Sequence, residues 1–82
     1  MYLVSYKIIN GEFEYMDHEL HKDPKSEVEM IAEFYGFDVN HLEPAKKEGW
    51  YVIHDFQQAS VHNIQRISKP EASILTKLGV AY

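Results

Sequence analysis

The sequence predicts an α+β fold in which an antiparallel sheet of three or four strands carries two helices, or three, on one of its faces. Three observations lead to this prediction. An Asn-Gly pair separates two runs of alternating residues, residues 28–35 carry an amphipathic helical stripe, and a second helix start follows near Ser68. The favoured order of elements is ββα-ββα. The 82 residues are expected to form one small domain, residues 1–82.

The first hairpin is predicted from Asn10 and Gly11, because this pair prefers a two-residue type I′ loop whose central residues both have positive φ. In that register Lys7 lies opposite Glu14. Side chains alternate between the two faces of a sheet. The aromatic and aliphatic residues of the hairpin therefore share one face, which is the expected core face: Tyr2, Val4, Tyr6, Ile8, Phe13 and Tyr15.

The alternation fails after Tyr15. Asp17 and Glu19 would occupy the apolar face, whereas Met16 and Leu20 would fall on the polar one. The pattern therefore predicts that the strand ends here or carries a bulge near Met16 that switches its faces.

A helix is predicted next, with apolar residues at positions i, i+3, i+4 and i+7: Val28, Ile31, Ala32 and Tyr35. Two starts remain open. Asp23 could cap a helix that begins with Pro24, or Ser26 and Glu29 could form a capping box. Gly36 suits the left-handed position that closes a helix.

The second half of the chain predicts further strands. Residues 38–48 are interpreted as a polar connection with one helical turn near Leu42. Residues 50–56 are aromatic and β-branched and predict a strand that is apolar on both faces. Residues 57–67 fit either a short helix or a strand that returns beside the preceding one, and we favour the strand.

A second helix is predicted near the carboxyl end. Ser68 and Glu71 have the spacing of a capping box, and Pro70 lies just inside the helix start. Gly79 is expected to close this helix. Its apolar side consists of Ile74, Leu75 and Leu78.

Charge is unevenly distributed along the chain. The net charge is −5, and residues 12–48 hold eleven of the thirteen acidic residues against four lysines. A chain this acidic lacks the basic surface that neutralises phosphates, so no nucleic-acid partner is expected. The acidic region is interpreted as a solvated face, or as a docking surface for a basic partner.

Composition narrows the function further. The chain has no cysteine, which excludes disulfides, thiolate metal sites and a cysteine nucleophile. No apolar run reaches the roughly 18 residues that a membrane span needs, and no signal peptide is recognised, so a cytoplasmic protein without membrane contact is expected. No cofactor is predicted.

Histidines are the candidate metal ligands. His18 and His21 resemble a metalloprotease motif, but their spacing is three residues instead of four. On an extended strand they would point to opposite faces, whereas on a loop with Asp17 they could share a metal ion. His54 and His62 form a second candidate pair, which could meet across a hairpin. With Asp55 nearby, such a pair could also support general acid–base chemistry.

Aromatic residues are the candidate binding residues. Trp50, Tyr51 and Tyr82 are the aromatics least clearly assigned to the core, and such amphipathic side chains are enriched at interfaces. They predict a patch for a partner protein or for a second copy of the chain, that is, a homodimer.

These observations together predict a small, soluble, non-catalytic interaction or regulatory module whose partner the sequence does not identify. The alternative is a histidine-based metal-binding protein or a minor enzyme. No motif for a nucleophile or a phosphate-binding loop is recognised.

Overall fold

The computed structural model describes residues 1–80, which contain five strands, two α-helices and one 3₁₀ turn. In chain order these elements are β1 (Tyr2–Asn10), β2 (Phe13–His21), α1 (Glu27–Tyr35), the 3₁₀ turn (Val39–His41), β3 (Glu43–Pro44), β4 (Trp50–His54), β5 (Gln57–Arg66) and α2 (Lys69–Lys77). The strands form one antiparallel sheet in the order β2-β1-β5-β4-β3. Consequently β2 and β3 are the two edges of the sheet.

The α+β class is confirmed, but the sheet has five strands instead of three or four, and the order is ββα-βββα. The additional strand is β3, which pairs Glu43 with Val52 and Pro44 with Tyr51 inside the predicted polar connection. A strand of two residues has no periodicity that a sequence pattern could reveal. The favoured strand in residues 57–67 is confirmed as β5.

The β1–β2 loop lies one residue further along the chain than predicted. Asn10 pairs with Phe13, so the loop is Gly11-Glu12, and Gly11 has a φ of 62°. Among the described residues only glycines have positive φ, so the loop has the φ pattern of type II′ instead of type I′. Pairing of β1 with β5 explains the change of loop. Asn10 also pairs with Gln57 of β5, and the Gly11 N–H donates to the Phe56 carbonyl oxygen at 2.8 Å.

The new register moves each partner by two residues, so the predicted faces of the hairpin survive although the predicted pairs do not. Ile8 lies opposite Tyr15. Lys7 reaches Glu14 along a diagonal, with 3.3 Å between Nζ and Oε1. This ion pair is largely solvated and therefore contributes little to stability.

The prediction that β2 ends or bulges near Met16 was wrong. The pairing of β2 with β1 continues unbroken to His21. Asp17 and Glu19 therefore do occupy the predicted apolar face. Glu19 is tolerated there because it forms hydrogen-bonded contacts with Tyr6 and an ion pair with His21.

Both ends of α1 follow from the sequence. Ser26, the later of the two predicted starts, accepts the Glu29 N–H at 3.4 Å. At the other end Gly36 has a φ of 73°, and the Phe37 N–H donates to the Ala32 carbonyl oxygen at 2.8 Å. The left-handed Gly36 and the bond from Phe37 form a Schellman closure.

The main core lies between α1 and the sheet face that carries Val4, Tyr6 and Ile8, called here the α1 face. These three residues, with Met30 and Ile31 of the helix, are at most 1 % exposed. Ala32 of the helix is also buried there, and further buried members come from the second half of the chain: Leu42, Ile53 and Ala59.

The second helix packs on the opposite face of the sheet, called here the α2 face, so the prediction of both helices on one face was wrong. A smaller cluster joins α2 to this face, with three buried residues, Leu20, Ile67 and Ala72. Leu3 also borders this cluster, and it alternates along β1 with the residues of the α1 face.

A bulge in β5 explains why α2 lies on that face. Val61 lies opposite Tyr6 and Asn63 lies opposite Ser5, so His62 is an extra residue. Because side chains alternate along a strand, one extra residue moves every later side chain to the opposite face of the sheet. Ile67 therefore reaches the α2 face, where the chain continues into α2.

Candidate functional site

Two of the three aromatic residues predicted to bind a partner are integrated into the sheet. Trp50 is 8 % exposed on the α2 face, where the Lys47 ammonium lies 5.6 Å from the centroid of its ring. Tyr51 is half-buried on the other face and packs against the main core. Tyr82 lies outside the described residues. The structure therefore does not gather Trp50 and Tyr51 into one exposed patch, and their role in binding stays a prediction.

His18 and His21 lie on opposite faces of β2, because they face Ser5 and Tyr2 of β1, respectively. His18 Nδ1 is 2.9 Å from Ser5 Oγ. His21 Nε2 forms an ion pair with the Glu19 carboxylate. The structure does not bring the two imidazoles together.

His54 and His62 are also separated. His54 lies opposite Gln57 near the β4–β5 turn, whereas His62 lies beyond Ser60, which pairs with the first residue of β4. Across residues 1–80, no group of three or more His, Asp or Glu residues is placed to hold a metal ion. Metal binding by these histidines stays a hypothesis.

A shallow cavity of about 370 Å³ borders His54, with His41, Glu43 and Asp55 also in its lining. His54 and Asp55 were candidates from the sequence, whereas His41 and Glu43 were not, because the strand that sets Glu43 beside β4 was not predicted. All four side chains are exposed. The site is therefore open to water, whereas small-molecule sites usually bury most of the ligand surface.

A polar network lies beneath α1 around the hydroxyl of Tyr6, a residue with no exposed surface. This oxygen lies 3.4 Å from Glu19 Oε1, 3.3 Å from His21 Nε2 and 3.4 Å from the Met30 carbonyl oxygen. Burial, and then the Glu19 carboxylate, raise the pKa of Tyr6 far above its ordinary value, so the phenol stays protonated. A hydroxyl without exposed surface holds β2 against α1 instead of contacting a substrate.

The most accessible backbone of the sheet lies along β2. This edge strand has nine residues and pairs only with β1, so about half of its backbone N–H and C=O groups point away from the sheet. Its first six residues, 13–18, are all exposed. The other edge strand, β3, has only two residues, and one of them is Pro44, which has no N–H to donate.

Two exposed aromatic residues lie on the α1 face at the start of this edge strand and are called here the aromatic end: Phe13 and Tyr15. A third exposed aromatic residue, Phe56, lies in the β4–β5 turn. Phe13 and Phe56 are each 78 % exposed, and Tyr15 is 44 % exposed. The backbone hydrogen bond from Gly11 holds Phe56 beside the β1–β2 loop. Grouped exposed aromatics are typical of binding surfaces.

A series of ring contacts lies behind the aromatic end. Tyr6 stacks on Phe34 with 4.4 Å between centroids, Phe34 meets Tyr35 edge-on at 5.0 Å, and Tyr35 lies 6.2 Å from Phe37. Burial, followed by the effect of nearby Tyr15, raises the pKa of Tyr35 to about 12. These ring contacts hold the rings of α1 against Tyr6 of β1.

The edge is also acidic. β2 carries Glu14, Asp17 and Glu19, and against them it has no lysine or arginine. Asp17 Oδ1 accepts the backbone N–H of His18 at 2.8 Å, so this carboxylate already contacts the backbone of the strand. Acidic side chains on an edge strand discourage pairing with identical strands.

Alternation along the hairpin predicted Phe13 and Tyr15 in the core, and the lengths of the packed elements explain why both are exposed. The nine residues of α1 span about 13 Å of helix, whereas the nine residues of β1 or β2 span about 30 Å of strand. One helix therefore cannot cover the whole apolar face of the hairpin.

Comparison of the chain with protein-family models, with curated proteins and with solved structures yields no match. Within residues 1–80 no helix is long and apolar enough to cross a membrane.

Proposed function

We propose that this protein is an interaction module that binds an extended segment of a partner protein as an additional strand along β2. The observation that carries the proposal is the open edge of β2, a regular strand of nine residues that begins at the aromatic end. Extended peptides add to such edges through main-chain hydrogen bonds, while alternate side chains provide specificity.

The side chains of β2 define the chemistry of this segment. On the α1 face, Phe13 and Tyr15 offer apolar contact, and exposed Asp17 follows them. Neighbouring strands place like faces together, so the segment requires an apolar residue next to Phe13 and a lysine or arginine next to Asp17. The partner is therefore a basic chain with at least one large apolar side chain.

The same charges disfavour a second copy of this chain as the partner. Two antiparallel β2 strands would bring the carboxylates of Glu14, Asp17 and Glu19 near those of the other copy, and like charges across strands are destabilising. A basic segment gains attraction where a second copy meets repulsion.

A selection experiment tests the proposal before any natural partner is identified. The whole chain is used to select binders from a display library of ten-residue peptides, and binding of the selected peptides is mapped by amide NMR shifts. We expect peptides that combine an apolar residue with lysine or arginine at alternating positions, and shifts concentrated in residues 13–19. Shifts concentrated elsewhere would refute strand addition at β2.

Matched variants sharpen this test. Phe13→Ala is expected to weaken peptide binding about tenfold or more, because it removes an aromatic anchor. Ile74→Ala removes an apolar side chain that is 58 % exposed on α2 and should leave peptide affinity unchanged. Equal losses in the two variants would contradict the assignment.

Charge reversal separates a basic partner from a second copy. Asp17→Lys is expected to abolish binding of the basic peptides, whereas Glu48→Lys, an exposed residue outside β2, should have little effect. Sedimentation of the unmodified chain is expected to show a monomer. A dimer whose contact maps to β2 would replace the proposed partner with a second copy and overturn the proposal.

Histidine-based metal binding or catalysis remains the alternative hypothesis. It predicts that stoichiometric zinc shifts the ring signals of two histidines together, for example His41 and His54, which line one cavity. Zinc that shifts no pair of histidine signals would remove the metal-binding version.

A further inference from the structure

A second surface, independent of β2, lies on the flank of α2. A cavity of about 600 Å³ opens there between the helix, the amino-terminal residue and the segment after β2, and it is lined by Met1, Lys22, Lys69, Ala72, Ser73, Thr76 and Lys77. Small-molecule sites usually have volumes of about 300–1,000 Å³. This cavity is called here the lysine groove.

The helical repeat explains why these residues of α2 line one groove. Residues spaced by three and four positions share one side of a helix, and five lining residues of α2 follow this spacing. Ala72 is 7 % exposed and lies on the side of the helix that packs against the sheet. The Thr76 hydroxyl donates to the Ala72 carbonyl oxygen at 2.9 Å, so this hydroxyl is already used within the helix.

The polar part of the lining is basic in an otherwise acidic chain. Lys22, Lys69 and Lys77 are three of the eight basic residues in a protein with a net charge of −5. Within residues 1–80, none of the three has a carboxylate within 4.0 Å, whereas Lys7 and Lys25 each have an acidic partner. Among the described residues, the groove is thus a local positive site with no carboxylate within ion-pairing distance of its lysines.

We propose that the lysine groove binds a single-chain anionic amphiphile, with its charged head at the lysines and its aliphatic chain along Met1 and Ala72. Lysine suits this role, because its ammonium attracts the head while its aliphatic stem adds apolar lining. A protein partner is a poorer fit, since specific protein interfaces bury about 800 Å² per partner, more than seven lining residues offer.

Binding at this site would connect α2 to the rest of the molecule. Within residues 1–80, the cluster that joins the helix to the sheet has three buried members, and four partly buried residues pack against it. A ligand that contacts α2 together with Met1 and Lys22 binds only the docked helix, so it stabilises the docked state by mass action.

Amide NMR titration with dodecanoate below its critical micelle concentration tests the proposal. We expect saturable shifts at Ala72, Ser73 and Thr76, and slower hydrogen exchange in α2. Dodecyltrimethylammonium, which has the same chain and a positive head, should produce no saturable shifts there. Equal binding of the two compounds, or no shifts in the groove with dodecanoate, would overturn the proposal.

Paired variants test the role of the lysines. Lys22→Ala with Lys77→Ala is expected to lower the affinity for dodecanoate about tenfold, since each exposed ion pair contributes a few-fold. Lys46→Ala, which removes an exposed lysine outside the groove, should leave the affinity unchanged.

A steric variant tests the site without changing its charge. Ser73→Trp places a large ring on an exposed position of the groove lining and should block dodecanoate binding. Its NMR spectrum outside α2 should match that of the unmodified protein, which separates a filled groove from misfolding. Full binding by this variant would contradict the proposed location. Peptide binding at β2 should be unaffected in all three variants, so failure here leaves the proposed function intact.

Discussion

The two faces of the sheet differ in how much apolar surface their helices bury. On the α1 face, Tyr6 and Ile8 of the sheet meet Met30 and Ile31 of the helix with almost no exposed surface. On the α2 face, Ala72 is the one residue of the helix that is buried. The comparison indicates that α1 provides most of the stability, whereas α2 is a more loosely attached element.

The two faces also differ in how fully their polar and charged groups are paired with protein partners. The polar group inside the α1 core, the Tyr6 hydroxyl, has three protein partners within 3.4 Å. The lysines beside α2 have no acidic partner among the described residues. Elements with few buried contacts open most easily, and binding sites are often built from them.

The largest expected effect comes from truncating the two helices in turn. Ile31→Ala removes a side chain with no exposed surface and should lower the free energy of unfolding by about 2–5 kcal/mol. Leu75→Ala removes a partly buried side chain of α2 and should cost about 1 kcal/mol. Urea unfolding of both variants measures the difference. Equal costs would show that the two faces contribute alike.

A smaller effect is expected from the polar network of the α1 face. Tyr6→Phe leaves the Glu19 carboxylate and the Met30 carbonyl without this donor and should cost about 1–3 kcal/mol in urea unfolding. Tyr2→Phe, in the same strand, is the control, and its cost should stay within about 0.5 kcal/mol. If both variants unfold at the same urea concentration, the network does not contribute to stability.

The smallest effect is expected at the start of α2. Hydrogen bonds from the backbone and then the side chain of Ser68 lower the pKa of Glu71. A lowered pKa in the folded state means that the ionised carboxylate stabilises the helix above the ordinary glutamate pKa. This contribution is lost as the pH falls through the lowered value.

Hydrogen exchange of the α2 amides, followed from neutral pH down to about pH 3, measures this loss after correction for the intrinsic rates. The unmodified protein should lose protection in α2 at the acidic end, while α1 amides keep theirs. Glu71→Gln removes the titrating group, so its α2 protection should be nearly independent of pH. Identical pH profiles for the two proteins would argue against the capping role.

Local features of the fold could be read from the sequence. The cap at Ser68, the closure at Gly36 and the residues that share each face of the hairpin were predicted, and the cap at Ser26 was one of two alternatives, because each depends on residues within a few positions of one another. The strand β3 could not be predicted, since Glu43 and Pro44 are extended only because β4 lies beside them.

The candidate site was less predictable than the fold. Exposed aromatics were expected at Trp50 and Tyr51, but the sheet buries or half-buries both, and Phe13 and Phe56 are exposed instead. Periodicity identifies the face on which a side chain lies, and it does not reveal whether a helix covers that part of the face. Exposure therefore depends on the relative lengths of the packed elements.

Local sequence patterns predicted the start of α2, the hairpin residues that share a face and the acidic middle of the chain, because propensity, alternation and charge are local properties. The tertiary structure decided the start of α1, and long-range packing set the loop register at Gly11, the fifth strand and the side of the sheet on which α2 packs. The last three of these depend on β5 or β4. β5 pairs with residues of β1 more than 40 positions away, and β4 pairs with β3 across an irregular connection. A bulge of one residue at His62 was enough to move a helix to the other face, since side chains alternate with every residue of a strand.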